Sequence, residues 1–279
     1  IELNPDYEQA HLNLVNIFRD LGNLHEAELF TRKAIELNPD YANAHSNLGT
    51  ILIDLGKLKE LILLSQSTLD SNSINQSYKL LARLGIAIAN LLQGDFSETF
   101  LNINKTNELI NRGLLNSIKK EQLRKNALNY SRFITALYPL LEKKNNNPDS
   151  EKIPHIGESH CLSFAHEVLS ISSKLKKIQP VLITGGKAWY FAKNGNNRWK
   201  DSLKQQLKNH NYSDYIFISF GEIDCKKEDN MLTYAIKKDK DILEVCESTV
   251  KGYIDYMEGS LSQNYLKRYY FGVPAPTRY

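Results

Sequence analysis

Two rhythms of apolar and polar positions run along this chain, and one gives way to the other near residue 145. In the first half the apolar residues recur at helical spacing, and the pattern itself recurs. Ile1-Glu2-Leu3-Asn4-Pro5-Asp6-Tyr7 returns as Ile35-Glu36-Leu37-Asn38-Pro39-Asp40-Tyr41, a displacement of 34 residues. Within the first full unit Ala10, Leu14, Phe18, Gly22, Ala27, Ala34 and Pro39 stand where a helix, a tight turn, a second helix and a stop are needed. The second unit repeats this with Ala44, Leu48, Gly49, Leu52 and Gly56. Small residues let paired helices approach, glycine ends the first helix, and proline cannot continue the second. Each unit is therefore expected to be an antiparallel helical hairpin. From Ile74 the strict period fails, but Leu80, Leu81, Leu84, Ala87, Ile88 and Leu91 form an apolar stripe. Gly94-Asp95-Phe96 then turns the chain into a second run ending at Ile110, a degenerate third hairpin. Glu121 to Lys143 reads as a long helix that caps the stack, because the last repeat of a solenoid must cover its apolar face. Pro139 inside it is expected to kink or shorten it.

Asn145-Asn146-Asn147-Pro148-Asp149-Ser150 is a cluster of turn formers and reads as a linker over 145–150, between a helical domain at 1–144 and a second domain at 151–279. Beyond it, short β-rich apolar runs appear at Ile153–Ile156, Pro180–Thr184, Tyr215–Phe220 and Tyr269–Val273, separated by helical patterns. Buried strands alternating with helices predict a parallel sheet covered on both faces. Leu162, Ala165, Val168, Leu169 and Ile171 predict a helix over Leu162–Leu175. Ser159 would then sit in a strand-to-helix turn, its hydroxyl beside the open N–H groups of a helix start, as a nucleophile or simply as a helix cap. In such sheets ligands bind outside the carboxyl ends of the strands. Those ends carry Gly157-Glu158-Ser159, Gly185-Gly186-Lys187, Gly221-Glu222-Ile223-Asp224 and Pro274-Ala275-Pro276-Thr277-Arg278.

Composition narrows the classes. The 35 basic and 32 acidic residues leave a net charge of +3, interleaved along the chain, with no nucleic-acid or bilayer surface. No apolar run reaches the length of a membrane span. Three cysteines, Cys161, Cys225 and Cys246, make neither a disulfide framework nor a zinc spacing, which points to a reducing, cytoplasmic setting. Glu222 and Asp224 alone are weak evidence for a metal, and no cofactor is expected. His155 and His160 read as structural histidines, since neighbours of Ser159 on a strand or helix start project away from it. Cys161 and Cys225, beside the two key blocks, read chiefly as small buried apolar groups, a thiol nucleophile or redox pair being the alternative. Lys226-Lys227-Glu228-Asp229 and Lys237-Lys238-Asp239-Lys240-Asp241 read as solvated faces or as a mobile insertion over the site. The opening at Ile1, inside a repeat phrase and without a Met, is expected of a fragment.

The 34-residue period resembles the tetratricopeptide repeat family over about residues 1–73, with departures at Leu61 and Ser73, where the family has Ala and Pro. That resemblance implies a solenoid binding a protein or peptide on its concave face, where Asn13, Asn16 and Asn47, with Arg19, would lie on the first helices of the hairpins. The blocks of the second half resemble the SGNH, or GDSL-type, hydrolase superfamily over about residues 151–279. This implies a flavodoxin-like three-layer α/β/α fold, with Ser159 as nucleophile and oxyanion donor, Gly185 or Gly186 as a second donor, and, in the third block, Asp224 as a catalytic residue with Gly221 and Glu222 as binding residues. Glu158 stands where the family has Asp, and Ile223 replaces the asparagine that completes the oxyanion hole. Gly157-Glu158-Ser159-His160 with Phe220-Gly221-Glu222-Ile223-Asp224-Cys225 is similar to a bacterial subgroup often encoded near glycan-assembly genes. The Asp-x-x-His block that supplies the base is not in the sequence, and a serine hydroxyl without an adjacent base is a weak nucleophile. Two readings stand: an esterase or acyltransferase for an acylated glycan, or a non-catalytic scaffold for protein partners.

Overall fold

The computed structural model describes residues 8–141, 150–208, 214–221, 224, 231–261 and 267–271, with side chains from residue 10 onward. Glu222, Ile223, Cys225, most of the 145–150 turn cluster, Lys226–Asp229 and Pro274–Arg278 lie outside the described residues. The chain forms two compact units, Ile1–Asn146 and Asn147–Tyr279.

The first unit is helical: α1 (Glu8–Asp20), α2 (Leu24–Leu37), α3 (Ala42–Asp54), α4 (Leu58–Asp70), α5 (Gln76–Gln93), α6 (Phe96–Asn111) and α7 (Glu121–Leu141). The same turn closes each hairpin. Gly22, Gly56 and Gly94 sit at φ 75°, 70° and 86°, a conformation that costs glycine nothing. The next residue's N–H then reaches back to the end of the first helix: Asn23 to Phe18 O, Lys57 to Leu52 O, Asp95 to Asn90 O. Where the strict period fails, polar caps take over. Asn75 accepts from the N–H groups of Ser77 and Tyr78 to start α5, and Asp95 accepts from Glu98 N–H to start α6.

Leu61, where the repeat pattern calls for alanine, has a physical reason. Its Cδ1 lies 3.5 Å from where a Cβ on Gly49 would be and 3.6 Å from the same point at Gly85, so two missing side chains make room for one large one. At Ser73 the missing proline is replaced by hydrogen bonds: Ser73 N–H donates to Ser71 Oγ at the end of α4. Pro139 falls in the last turn of α7, which ends at Leu141.

The second unit holds a five-stranded sheet in the order β2-β3-β1-β4-β5, from β1 (Glu151–Gly157), β2 (Val168–Ile171), β3 (Lys174–Leu182), β4 (Tyr215–Ser219) and β5 (Lys267–Tyr270). The run β3-β1-β4-β5 is parallel, as expected from the apolar runs. The expected helix over Leu162–Leu175 does not form. Ser159–Phe164 makes a 3-10 turn, and Val168–Ile171 folds back antiparallel on Lys174–Leu175-Lys176-Lys177, so the sheet is mixed rather than parallel throughout. Ser172 and Ser173, at φ 51° and 63°, form the two-residue left-handed turn whose twist suits a hairpin. Lysines hid the strand: Lys176 is buried, its ammonium 2.5 Å from Glu151 and over the Tyr215 ring.

Helices α8 (Ala188–Ala192), α9 (Arg198–Lys208) and α11 (Ile242–Ser260) supply the main core of this unit, α10 (Met231–Lys238) lying beside α11 in sequence. Ile156, Val181, Ile216 and Ile218 on one face of the sheet meet Phe191, Leu203, Tyr253 and Met257. The opposite face carries Ile153, Ile178, Tyr215 and Phe217, with Leu169 and Ile171 of the hairpin beside them.

Candidate functional site

The helical unit offers one candidate surface. Asn13 and Asn47 are 34 residues apart and so recur at the same place on α1 and α3, with Asn16 one turn beyond Asn13. Asn13 and Asn16 are exposed and Asn47 is half-buried. Asn43, at the start of α3, accepts a hydrogen bond from Tyr78 OH of α5 at 2.9 Å, which ties successive first helices together through polar groups.

The second candidate is at the carboxyl ends of β1, β3 and β4. Gly157 closes β1 with no space for a side chain, since a Cβ there would lie 2.2 Å from Ser219 Oγ and 2.7 Å from Ser219 O. Ser159 opens the 3-10 turn half-buried, and Glu158, not Ser159, occupies the cap position. His160 is exposed and turns its Nδ1 toward the buried Glu158 carboxylate at 3.8 Å. The Cys161 thiol is fully buried against Val181 O, and burial drives its pKa far up, so it is a thiol and not a thiolate nucleophile.

At this end of the sheet, among the described residues, the serine whose hydroxyl meets an imidazole is Ser219. Its Oγ is 2.9 Å from His155 Nε2. His155 is 1% exposed and ringed by Phe164, Phe217 and Phe271. Its Nδ1 has no partner among the described residues, and burial lowers its pKa to about 4, so the ring is neutral near pH 7. Sequence reasoning anticipated a structural histidine here and missed Ser219; the signal was Gly157, whose bare backbone leaves the hollow the hydroxyl fills.

Asp224 is brought to the Gly185-Gly186-Lys187 turn. Its two carboxylate oxygens accept from the N–H groups of Ala188 and Trp189 at 2.8 and 3.0 Å. Burial raises its pKa, against the lowering pull of those two N–H groups and of Lys187. Gly186 donates its N–H to Ile183 O and packs under Phe220, where a Cβ would lie 2.6 Å from the ring. Gly185 is exposed at φ 65° and Gly221 is buried at φ 122°. A carboxylate that caps α8 fixes the loop after β3 to the loop after β4. Among the described residues no group of three or more His, Cys, Asp or Glu side chains is arranged to hold a metal ion. No described helix is long and apolar enough to cross a membrane.

Comparison with known families bears on the helical unit. Residues 8–41 and residues 30–61 each match a model of the tetratricopeptide repeat. No curated protein matches the sequence. The hairpins across residues 8–61 are therefore of the tetratricopeptide repeat type, a kind of repeat that implies protein partners.

Proposed function

We propose that this protein is an interaction scaffold whose repeats dock an extended peptide along the first helices of the hairpins, through Asn13, Asn16 and Asn47. The observation that carries it is the recurrence of a side-chain amide at one position of successive repeats. An amide both donates and accepts, so a row of them suits the N–H and C=O groups of a peptide backbone better than a charged motif. The test is selection of peptide binders from a random display library on the full chain, followed by titration against Asn13→Ala, Asn47→Ala and their combination. Binders that weaken at least about tenfold on the double variant support the reading. Binders indifferent to both substitutions overturn it. The domain limits that go with this reading are 1–144 and 151–279. The free Cys161 and Cys246 favour a reducing, cytoplasmic setting.

A second reading is favoured by the position of Ser159 immediately past the carboxyl end of β1, in a sheet of which four of the five strands run parallel. In it the second unit is an SGNH-like esterase or acyltransferase for an acylated glycan. Ser159 attacks the ester carbonyl while a general base of the Asp-x-x-His type, which residues 1–279 do not contain, takes its proton and passes it to the departing glycan hydroxyl; backbone N–H groups of Ser159 and Gly185 hold the oxyanion, and Gly221 and Asp224 shape the far wall. Turnover of p-nitrophenyl acetate and labelling by a fluorophosphonate probe test it. Loss of both in Ser159→Ala supports the enzyme. Equal turnover in the two proteins with no labelling of either leaves the scaffold alone.

A further inference from the structure

The turn glycines Gly22, Gly56 and Gly94 set the second helices of three successive hairpins in one register, so that α2, α4 and α6 open on Leu24, Leu58 and Phe96. Two positions of that register are buried in every hairpin: Ala27, Leu61 and Thr99 at one, Ala34, Thr68 and Thr106 at the other. The three helices therefore turn the same side outward. On that side stand Leu29, Leu63 and Leu101, at equivalent places, 65%, 66% and 46% exposed. A single exposed leucine means little, but the same side chain held in water at one place of three hairpins makes a row. Leu63 has a hairpin on either side of its own, so its exposure does not arise at an end of the stack.

Carboxylates run beside the leucines on both sides. Glu26, Glu60 and Glu98 precede them by three residues and Glu36, Asp70 and Glu108 follow by seven, spacings that return to the same face of a helix. All six are exposed. Arg32 bridges to Glu60 at 2.5 Å and Lys57 reaches Glu28 at 2.9 Å, which ties α2 beside α4, and Lys33 sits 3.2 Å from Glu36. Among the described residues Glu26, Asp70, Glu98 and Glu108 have no ion-pair partner, against Lys59 and Lys105 of the lysines on these three helices. The row is apolar with acidic margins. We infer that it docks an amphipathic helix of another protein, with leucine-sized side chains on its buried stripe and lysine or arginine on both flanks. Helices packed side by side lie about 8–10 Å apart, and seven residues of a helix rise about 10.5 Å, so a helix laid across α2, α4 and α6 meets the three leucines with its residues i, i+7 and i+14. Apolar anchors at helical spacing are how such a partner is read. Charge disfavours the other occupants. A second copy laid row against row would bring carboxylates onto carboxylates, and an anionic bilayer would set its headgroups against them. This surface is separate from the amide row on the first helices, and the inference stands whether or not that row binds peptide.

The probe is a display library of helical peptides with leucine at every seventh residue and the flanking positions randomised, selected on the full chain. Selected peptides are expected to carry lysine or arginine on the flanks, and to bind at least about tenfold more weakly to the chain with Leu29→Ser, Leu63→Ser and Leu101→Ser together. All three side chains are exposed, so this triple variant should keep the helical circular dichroism of its parent. Glu26→Lys with Glu98→Lys should reverse the preference, binding a peptide with glutamates in place of its lysines more tightly than the basic peptide. Asn13→Ala with Asn47→Ala should leave the affinity unchanged, which separates this surface from the amide row. Recovery of no binder, flanks without basic enrichment, or binders indifferent to the triple variant would each overturn the inference. So would dimers of the chain, or its binding to phosphatidylserine vesicles, that the triple variant abolishes, since either assigns the row to a different occupant.

Discussion

His155 makes the stability of the second unit depend on pH in a defined window. Its imidazole is 1% exposed among three phenylalanine rings, and its folded pKa is lowered from 6.5 to about 4. The group is depressed in the folded state, so above the unfolded value both states are neutral and nothing is lost. Between the unfolded and folded values the unfolded chain takes up a proton that the folded chain refuses, and stability falls as pH falls. Integrated over that window the loss reaches about 3 kcal/mol, with a slope approaching about 1.4 kcal/mol per pH unit. Asp224, whose burial raises its pKa, works in the opposite sense, so the wild-type curve alone does not isolate the histidine. The difference from His155→Phe does. That variant loses about 1 kcal/mol near pH 7, because Ser219 Oγ is left without its imidazole partner. Below pH 6.5 its stability should be the flatter of the two. Both tryptophans, Trp189 and Trp199, belong to the second unit, so urea unfolding followed by tryptophan fluorescence reads this unit alone. The wild-type midpoint should drop by on the order of 1–2 M urea from pH 7 to pH 4 relative to the variant. Parallel pH profiles for the two proteins would refute the reasoning.

Three other substitutions have clear expected outcomes. Gly157→Ala places a methyl group 2.7 Å from a backbone oxygen of β4, which cannot move without breaking the sheet. It should cost more than about 3 kcal/mol in the same urea assay, and adding Ser219→Ala should not restore it. Asp224→Ala leaves the N–H groups of Ala188 and Trp189 without their carboxylate and should cost about 2–4 kcal/mol, with a shift in the emission of Trp189; Asp224→Asn, which keeps one acceptor, should cost less. Leu61→Ala restores the residue the repeat pattern expects, yet it empties the hollow between Gly49 and Gly85. It should destabilise the helical unit by about 2–4 kcal/mol by circular dichroism, and an unchanged unfolding midpoint would contradict the packing account.

The helical unit was legible because its signals are local and repeated. Glycine at each turn and the 34-residue recurrence name the hairpins before any contact is known. Strands β1, β3 and β4 were legible for a different reason: their buried stretches read as continuous apolar runs, whereas β5, Lys267–Tyr270, is half-exposed and starts ahead of the apolar run at Tyr269–Val273. The hairpin of β2 and β3 was not legible. Val168, Leu169 and Ile171 fit helical spacing as well as alternation, Ser172-Ser173 is a poor advertisement for a left-handed turn, and Lys174, Lys176 and Lys177 look like solvent until Glu151 and the Tyr215 ring receive one of them. At the candidate site the sequence located the loops but not their bonding. The cap that the Asp224 carboxylate makes on α8 has no local signal in the sequence, and the His155–Ser219 pair joins residues 64 apart that only the register of β1 against β4 brings together.

The mixed sheet also sets an order of assembly for the second unit. Its antiparallel edge, β2 on β3, closes through two residues, and hairpins of this kind form in about 1–10 μs. The parallel pairings have no such shortcut. Ile153 must find Ile178, and His155 must find Phe217, across loops whose closure entropy is spent before any contact rewards it. The hairpin that sequence reasoning overlooked is thus the one piece of this sheet that the chain can make without waiting for the rest, and β1, paired with β3 on one side and β4 on the other, is the strand that joins that ribbon to the rest of the sheet.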